Sequence, residues 1–238
     1  MSDAKTNLIV ALDVSTLDEA AALVDSLGTS VSWFKIGKQI FTENGPAAVK
    51  MLKSRDKKVF LDLKFHDIPN TVAAAVRSAG RLGADMVNVH ASGGAEMMAA
   101  AAEAAQEFDV LLIGVTVLTS MNEAELSNVG IAASPEHQVV RLARLAKDAG
   151  LAGVVCSAWE IGAIQEACGA DFQLVVPGIR PAGADHGDQK RVMTPGQAAT
   201  AGAQFIVVGR PITRADNPQQ AAAAIQKELE EAGRPGGV

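Results

Sequence analysis

The chain has 238 residues, with 21 Lys and Arg residues against 27 Asp and Glu residues, so its formal net charge is −6. Hydrophobic residues make up 48% of the chain and charged residues 20%, a balance typical of a globular protein and not of a disordered one. The acidic balance argues against general affinity for nucleic acid, and every apolar run is far shorter than the ~20 residues that cross a bilayer. The two cysteines form no metal or redox motif and the first residues lack a secretory pattern, so we expect a soluble, cytoplasmic protein.

Eight short runs rich in β-branched and aliphatic residues recur along the chain, separated by alanine-rich segments. These runs predict strands at 7–14, 31–37, 58–65, 86–90, 110–118, 153–157, 173–179 and 204–210. Eight units in this length give about 30 residues per unit, the repeat of a βα crossover. The sequence therefore predicts an α/β fold, a single-domain (β/α)8 TIM barrel over residues 1–238 with a frayed tail at 231–238. The alternative is a doubly wound open sheet, but no glycine fingerprint follows the first strand.

Helix-start signals, meaning a capping side chain that is often followed by proline, lie between several of these strands. The predicted starts are Asp18, Ser134-Pro135, Thr194-Pro195 and Asn217-Pro218. Gly150 and Gly202 follow the ends of the second and third of these helices. Helices thus alternate with strands, as a barrel requires.

The third strand carries charges on one of its two faces. Asp62 and Lys64 share one face, whereas Leu61, Leu63 and Phe65 share the other. Helices cover the outside of a parallel barrel, so the apolar face must meet them. We therefore predict that Asp62 and Lys64 point into the barrel.

The same alternation places polar residues inside three neighbouring strands. Asp13, Lys35, Asn88 and His90 all face inward, near the carboxyl ends of their strands. Barrel enzymes perform their chemistry at this end. Confined charges tolerate burial only when they alternate in sign, and each opposite-charge contact at ~4 Å contributes roughly 4 kcal/mol before desolvation. A lysine between carboxylates favours its charged form, so Lys64 is predicted to be a proton donor, with a purely structural ion pair as the alternative.

Two segments near the end of the chain suit an anionic ligand. Gly209 and Arg210 close the last strand, where glycine allows close backbone approach and arginine binds phosphate oxygens. In barrels, the loops after strands seven and eight often hold a phosphate. Segment 181–191 follows Arg180, contains several polar residues and glycines, and is predicted to close over such a ligand.

A set of motifs in a fixed order gives the sequence a family resemblance. The motifs are ALDV, FKIG, LDLKFHDIPNT (61–71), VNVHASGG, LTSM, PGIRP, GDQKR and VGRPIT. Together they closely resemble the orotidine 5′-phosphate decarboxylase family over essentially the whole chain. The Asp-x-Lys-x-x-Asp pattern alone is shared with sugar-phosphate decarboxylases and aldolases of the same superfamily.

The resemblance implies a role for each matching position. It assigns catalysis to Lys35, Asp62, Lys64 and Asp67, with Lys64 as the proton donor. It assigns substrate binding to Asp13, Lys35, Asp62, Asp67, Ile68, Thr71, Thr119, Ser120, Arg180, Gln189, Gly209 and Arg210. Asp13 and Lys35 match ribose contacts, Thr119 and Ser120 lie where the pyrimidine is held, and the last four residues belong to the phosphate grip and its closing loop.

The resemblance also implies the reaction and the assembly. The substrate would be orotidine 5′-phosphate and the products UMP and CO2, with neither metal nor organic cofactor. The enzyme would be a homodimer in which Asp67 and Thr71 complete the site of the partner subunit. Two alternatives stay open: a metal-dependent sugar-phosphate decarboxylase or aldolase, and a non-catalytic nucleotide-binding barrel.

Overall fold

Eight parallel strands, paired in chain order, close into a barrel. The structure, a computed structural model, describes residues 6–181 and 193–233. The strands are β1 (Asn7–Ala11), β2 (Trp33–Ile36), β3 (Lys58–Phe65), β4 (Met86–His90), β5 (Leu111–Val115), β6 (Gly153–Val155), β7 (Gln173–Pro177) and β8 (Phe205–Val208). β8 pairs with β1 from Asn7↔Phe205 to Val10↔Val208, which closes the ring. The predicted (β/α)8 fold is confirmed.

The connections between the strands are largely helical. The helices are α1 (Leu17–Leu27), α2 (Lys38–Asn44), α3 (Pro46–Lys53), α4 (Pro69–Leu82), α5 (Ala95–Gln106), α6 (Glu123–Asn128), α7 (Pro135–Asp148), α8 (Ile161–Cys168), α9 (Pro195–Ala201), α10 (Arg210–Thr213) and α11 (Pro218–Ala232). α11 extends two residues into the tail predicted to fray at 231, and residues 234–238 lie outside the described part. In the described part of the chain, no helix combines the length and apolar character needed to cross a membrane.

Side-chain caps fix where several helices begin. Ser134, Thr194 and Asn217 each accept the backbone N–H three residues further on, so these three predicted starts are confirmed. The prediction for α1 was wrong by two residues. Thr16 is the cap, and it exchanges hydrogen bonds with Glu19 while Asp18 lies within the first turn.

Two hydrophobic cores lie on opposite sides of the strands. The outer core packs helices on the barrel and includes Leu8, Val10 and Leu12. The inner core fills the barrel and consists of Ile9, Ala11, Trp33, Phe60, Met86, Ile113, Val175, Phe205 and Val207. Within it, Trp33 packs edge-on against Phe205, with ring centroids 5.4 Å apart. Because this inner core fills the rest of the barrel, polar groups inside the barrel lie towards the carboxyl ends of the strands.

Several strands end earlier than predicted. β1 ends at Ala11, β5 at Val115 and β7 at Pro177, each two or more residues before the predicted end. The residues that follow leave the parallel ladder and form the loops above the barrel. This shortening matters for function because those loops contribute to the cavity described next.

Candidate active site

A row of four alternating charges crosses the carboxyl ends of β1, β2 and β3. Nζ of Lys35 lies 3.2 Å from Oδ1 of Asp13 and 3.3 Å from Oδ2 of Asp62. Nζ of Lys64 lies 2.5 Å from Oδ1 of Asp62. Asp62 therefore has one lysine on each of its carboxylate oxygens. The predicted inward orientation of Asp62 and Lys64 is confirmed.

Charge alternation decides the protonation of the two buried members of this row. Burial alone would raise the pKa of Asp62, but Lys35 and Lys64, with a hydrogen bond from Asn88, bring the pKa below its ordinary value. Burial alone would lower the pKa of Lys35, but the carboxylates of Asp62 and Asp13 raise it above its ordinary value. Asp62 is thus a carboxylate and Lys35 an ammonium at neutral pH, although Asp62 is only 8% exposed.

Asn88 of β4 is the neutral partner of the row. Its Nδ2 donates to Oδ1 of Asp62 at 2.7 Å, and its Oδ1 accepts the backbone N–H of Lys64 at 2.8 Å. Lys64 itself has a φ of +55°, a region that residues with a Cβ atom rarely adopt. The backbone at the candidate proton donor is therefore unusual and is bonded to a side chain.

The charged row forms one wall of a cavity whose other walls are largely apolar. The lining residues are Lys35, Phe60, Asp62, Lys64, Asn88, Val115, Val117, Leu118, Thr119, Val155, Cys156, Val175, Pro177 and Val207. Thr119 is thus part of the cavity, whereas Ser120, the next residue, is exposed to solvent. Apolar walls lower the local dielectric, so a charge fixed in this cavity acts more strongly on a ligand than it would in water.

Asp67, Ile68 and Thr71 lie on the protein surface. Asp67 and Ile68 line a second, shallow depression together with His66, Pro69 and Gly93, and Thr71 is exposed on α4. Oδ1 of Asp67 accepts the backbone N–H of Ile68 at 2.6 Å. Among the described residues, the ion pairs of the row run from Asp13 to Lys64 and do not include Asp67.

The predicted phosphate-binding residues are only partly brought together. A Cβ atom built on Gly209 would lie 3.6 Å from Oδ2 of Asp13, so the end of β8 borders the charged row. Arg210 follows at the start of α10 and is exposed. Arg180 is buried, and its Nη1 donates to the carbonyl of Ile179 at 3.0 Å. Gln189, together with the rest of residues 182–191 of the predicted closing segment, lies outside the described part of the chain.

Two features of the site were not foreseen from the sequence. A Cβ atom on Gly37 would lie 3.0 Å from Nζ of Lys35 and 3.2 Å from Oδ1 of Asp13, so this glycine leaves room for the ion pair. The rings of His66 and His90 lie 5.4 Å apart, and burial, together with the electrostatic influence of nearby His66 and Lys64, lowers the pKa of His90. The FKIG motif contains Gly37, but only the fold shows that a side chain at this position would contact Lys35 and Asp13.

The arrangement suits stabilisation and protonation of a negative charge beside Lys64. Among residues 6–181 and 193–233, no group of three or more His, Cys, Asp or Glu side chains is placed to hold a metal ion. A partly buried row of charges at the carboxyl face of a closed (β/α)8 barrel defines the chain as a barrel enzyme.

Comparison with known proteins assigns the family. The protein-family model described as "Orotidine 5'-phosphate decarboxylase / HUMPS family" matches residues 6–225, and the chain belongs to this family. Orotidine 5′-phosphate decarboxylase of Sodalis glossinidius is 56% identical over 95% of this chain and 91% of the relative. The Moorella thermoacetica enzyme is 54% identical over 95% of this chain and 93% of the relative. A crystal structure of the Lactobacillus acidophilus enzyme is 36% identical, with a TM-score of 0.84 over 94% of this chain and 99% of that one.

Proposed function

We propose that this chain converts orotidine 5′-phosphate to UMP and CO2, as an orotidine 5′-phosphate decarboxylase of pyrimidine biosynthesis, with Lys64 as the proton donor. Family membership and relatives above 50% identity over nearly the whole chain support the reaction. The role of Lys64 is supported by the position of its ammonium group, which is bonded to Asp62 in the wall of a largely apolar cavity.

The chemistry follows from the placement of that charge. The bond between C6 of the pyrimidine and its carboxylate breaks, CO2 leaves, and the electron pair stays on C6. No carbonyl is conjugated with this carbanion, so it must be stabilised by its surroundings. The Lys64 ammonium stabilises the developing charge and then delivers its proton to C6, which gives UMP. The resulting neutral amine regains a proton from solvent.

Asp62 and Lys35 prepare Lys64 for this step. Asp62 accepts from Lys64 and so orients its ammonium group, while Lys35 balances the second oxygen of Asp62. The charges are fixed before the substrate arrives, so little reorganisation is needed during the reaction. Asp13 and Lys35, at the outer end of the row, would bind the ribose hydroxyls, and Thr119 would contact the pyrimidine.

The phosphate group is distant from C6 but contributes to the rate. Gly209 and Arg210 would bind it at the end of β8, with Gln189 and the segment after Arg180 closing over it. Energy from binding this remote group can be used to close the site and exclude water, which raises the rate of the chemical step. Gly209 lies close to Asp13, so the end of β8 borders the charged row.

The working unit is a homodimer in the cytoplasm. Asp67 and Thr71 of one subunit would complete the charged row of the other. Support comes from the exposure of Asp67 and from Ile68 beside it, whose apolar side chain is 66% exposed. A contiguous apolar and acidic surface of this kind suits contact with a second copy of the chain. The partners are thus the small-molecule substrate and a second subunit, with no nucleic acid or membrane.

A spectrophotometric assay tests the proposed reaction. Purified protein is mixed with orotidine 5′-phosphate in EDTA, and the loss of orotate absorbance is followed. We expect turnover that added Mg²⁺ leaves unchanged, because protein charges alone act at C6. UMP binding without turnover would instead indicate a nucleotide-binding barrel. Turnover of a sugar phosphate that depends on Mg²⁺, with none of orotidine 5′-phosphate, would indicate the related metal-dependent enzymes.

A further inference from the structure

The hydrogen-bond ladder between β3 and β4 is interrupted at the candidate active site. The register runs from Leu61↔Val87 directly to Phe65↔Val89. Residues 62–64 of β3 therefore lie opposite the single residue Asn88 of β4. This is a bulge, and bulges commonly redirect a side chain next to an active site.

The side chain of Asn88 replaces the missing ladder contacts. Its Oδ1 accepts the N–H of Lys64, a group that ladder pairing would otherwise satisfy. Its Nδ2 donates to the same oxygen of Asp62 that receives the Lys64 ammonium. One planar amide is thus bonded to the backbone of Lys64 and to the carboxylate that holds the Lys64 side chain. Asn88 is fully buried, so water does not compete for these bonds.

The conformation of Lys64 needs such a tether. Its positive φ is unfavourable for a residue with a Cβ atom, and conformations of this kind persist only where surrounding contacts enforce them. The contact with Asn88 joins the backbone of Lys64 to the neighbouring strand.

We propose that Asn88 is a positioning residue for the proton donor, because its amide fixes the backbone of Lys64 and the carboxylate of Asp62 together and so sets where the ammonium group stands in the cavity. This role rests on the proposed function, since it matters for rate only if Lys64 donates a proton. It differs from a purely structural role, which would affect folding stability and leave the chemical step alone.

The test compares Asn88→Ala and Asn88→Asp with the wild type. In Asn88→Ala both bonds are lost; we expect kcat to fall roughly 10²-fold through misplacement of the ammonium, while KM and UMP affinity change little. Exchange of the Lys64 amide hydrogen, followed by NMR, should become faster. Asn88→Asp keeps an acceptor for this amide, so its exchange should stay slow, while kcat falls because a second carboxylate now faces Asp62.

Thr116→Val is the matched control. Thr116 is also buried, and its Oγ1 donates to the carbonyl of Val155 at 2.8 Å, but it lies outside the lining of the cavity. This variant should lose stability and keep its kcat. Equal kcat values in Asn88→Ala and Thr116→Val, or unchanged Lys64 amide exchange in Asn88→Ala, would overturn the positioning role. If the wild type does not turn over orotidine 5′-phosphate, the proposed function fails. The amide exchange is independent of turnover, so slow exchange at Lys64 in Asn88→Ala would by itself show that Asn88 does not fix this backbone.

Discussion

Oδ2 of Asp62 lies 3.3 Å from Nζ of Lys35, and both side chains are largely removed from solvent. Two isolated charges in this position would each lose several kcal/mol of hydration. Together with Lys64, which bonds to the other oxygen of Asp62, their opposite charges compensate for this lost hydration. Loss of either member leaves the other buried without its full complement of opposite charge, so this pair links the stability of the barrel to the integrity of the active site.

Acid should weaken the fold through Asp62. The positive charges around it hold its folded-state pKa below the ordinary value of 3.8, so the unfolded chain binds more protons between these two values. The stabilisation from Asp62 is complete above pH 3.8 and is lost as the pH falls through the lower folded-state pKa. Urea unfolding over a descending pH series should show this loss, and Asp62→Asn should flatten it.

Asp25→Asn is the comparison for that experiment. Arg55 also lowers the pKa of Asp25, but this pair is solvent-exposed, so high salt should screen its contribution. The contribution from Asp62 should persist in high salt because the group is buried. A pH profile of Asp62→Asn that runs parallel to the wild type would contradict the linkage.

Lys64→Ala should nearly abolish the chemical step. The variant loses both the charge that stabilises the carbanion and the proton that quenches it, so kcat should fall about 10³-fold or more. UMP, which lacks the departing carboxylate, should bind within a few-fold of wild-type affinity in calorimetry. Lys58→Ala is the control, because Lys58 is an exposed lysine on the same strand at the opposite end of the barrel. Substantial retained turnover in Lys64→Ala would remove Lys64 from its assigned role.

The alternation of β3 was enough to predict which side chains enter the barrel, because a strand buried on its outer face has only one place for charge. Asp62 and Lys64 lie where that rule puts them, and the same alternation on β4 places Asn88 inside the barrel. The bulge at Lys64 could not be predicted in this way, because it depends on the register between two strands and on one amide that satisfies it. Likewise, the closeness of Gly37 to the Lys35 ammonium is a tertiary contact with no local pattern.

Arg210→Ala should weaken binding of the phosphate group. Charge-assisted hydrogen bonds from a guanidinium to phosphate are strong, so kcat/KM for orotidine 5′-phosphate should fall roughly 10²-fold. Affinity for uridine, which has no phosphate, should match that of the wild type. Arg214→Ala provides the control, since Arg214 is exposed at the other end of α10. Unchanged KM and kcat/KM in Arg210→Ala would place the phosphate elsewhere.

Mixing two inactive variants should restore activity if the active sites are shared between subunits. Lys64 lies in the cavity of its own chain, whereas Asp67 is exposed on the surface and is proposed to serve the partner. A mixed dimer of Lys64→Ala and Asp67→Ala chains then contains one site with both residues intact. With random exchange, about a quarter of all sites are complete, so roughly that share of wild-type activity should return.

The decisive control for this experiment mixes Lys64→Ala with Asp62→Ala. Asp62 and Lys64 are in direct contact within one chain, so every site of every mixed dimer lacks one of them. This mixture should stay inactive under the same exchange conditions. If the Lys64→Ala and Asp67→Ala mixture is equally inactive although exchange is verified by mass spectrometry, Asp67 does not act across the interface. Activity in both mixtures would instead point to contaminating wild-type enzyme, so the contrast between the two mixtures carries the conclusion.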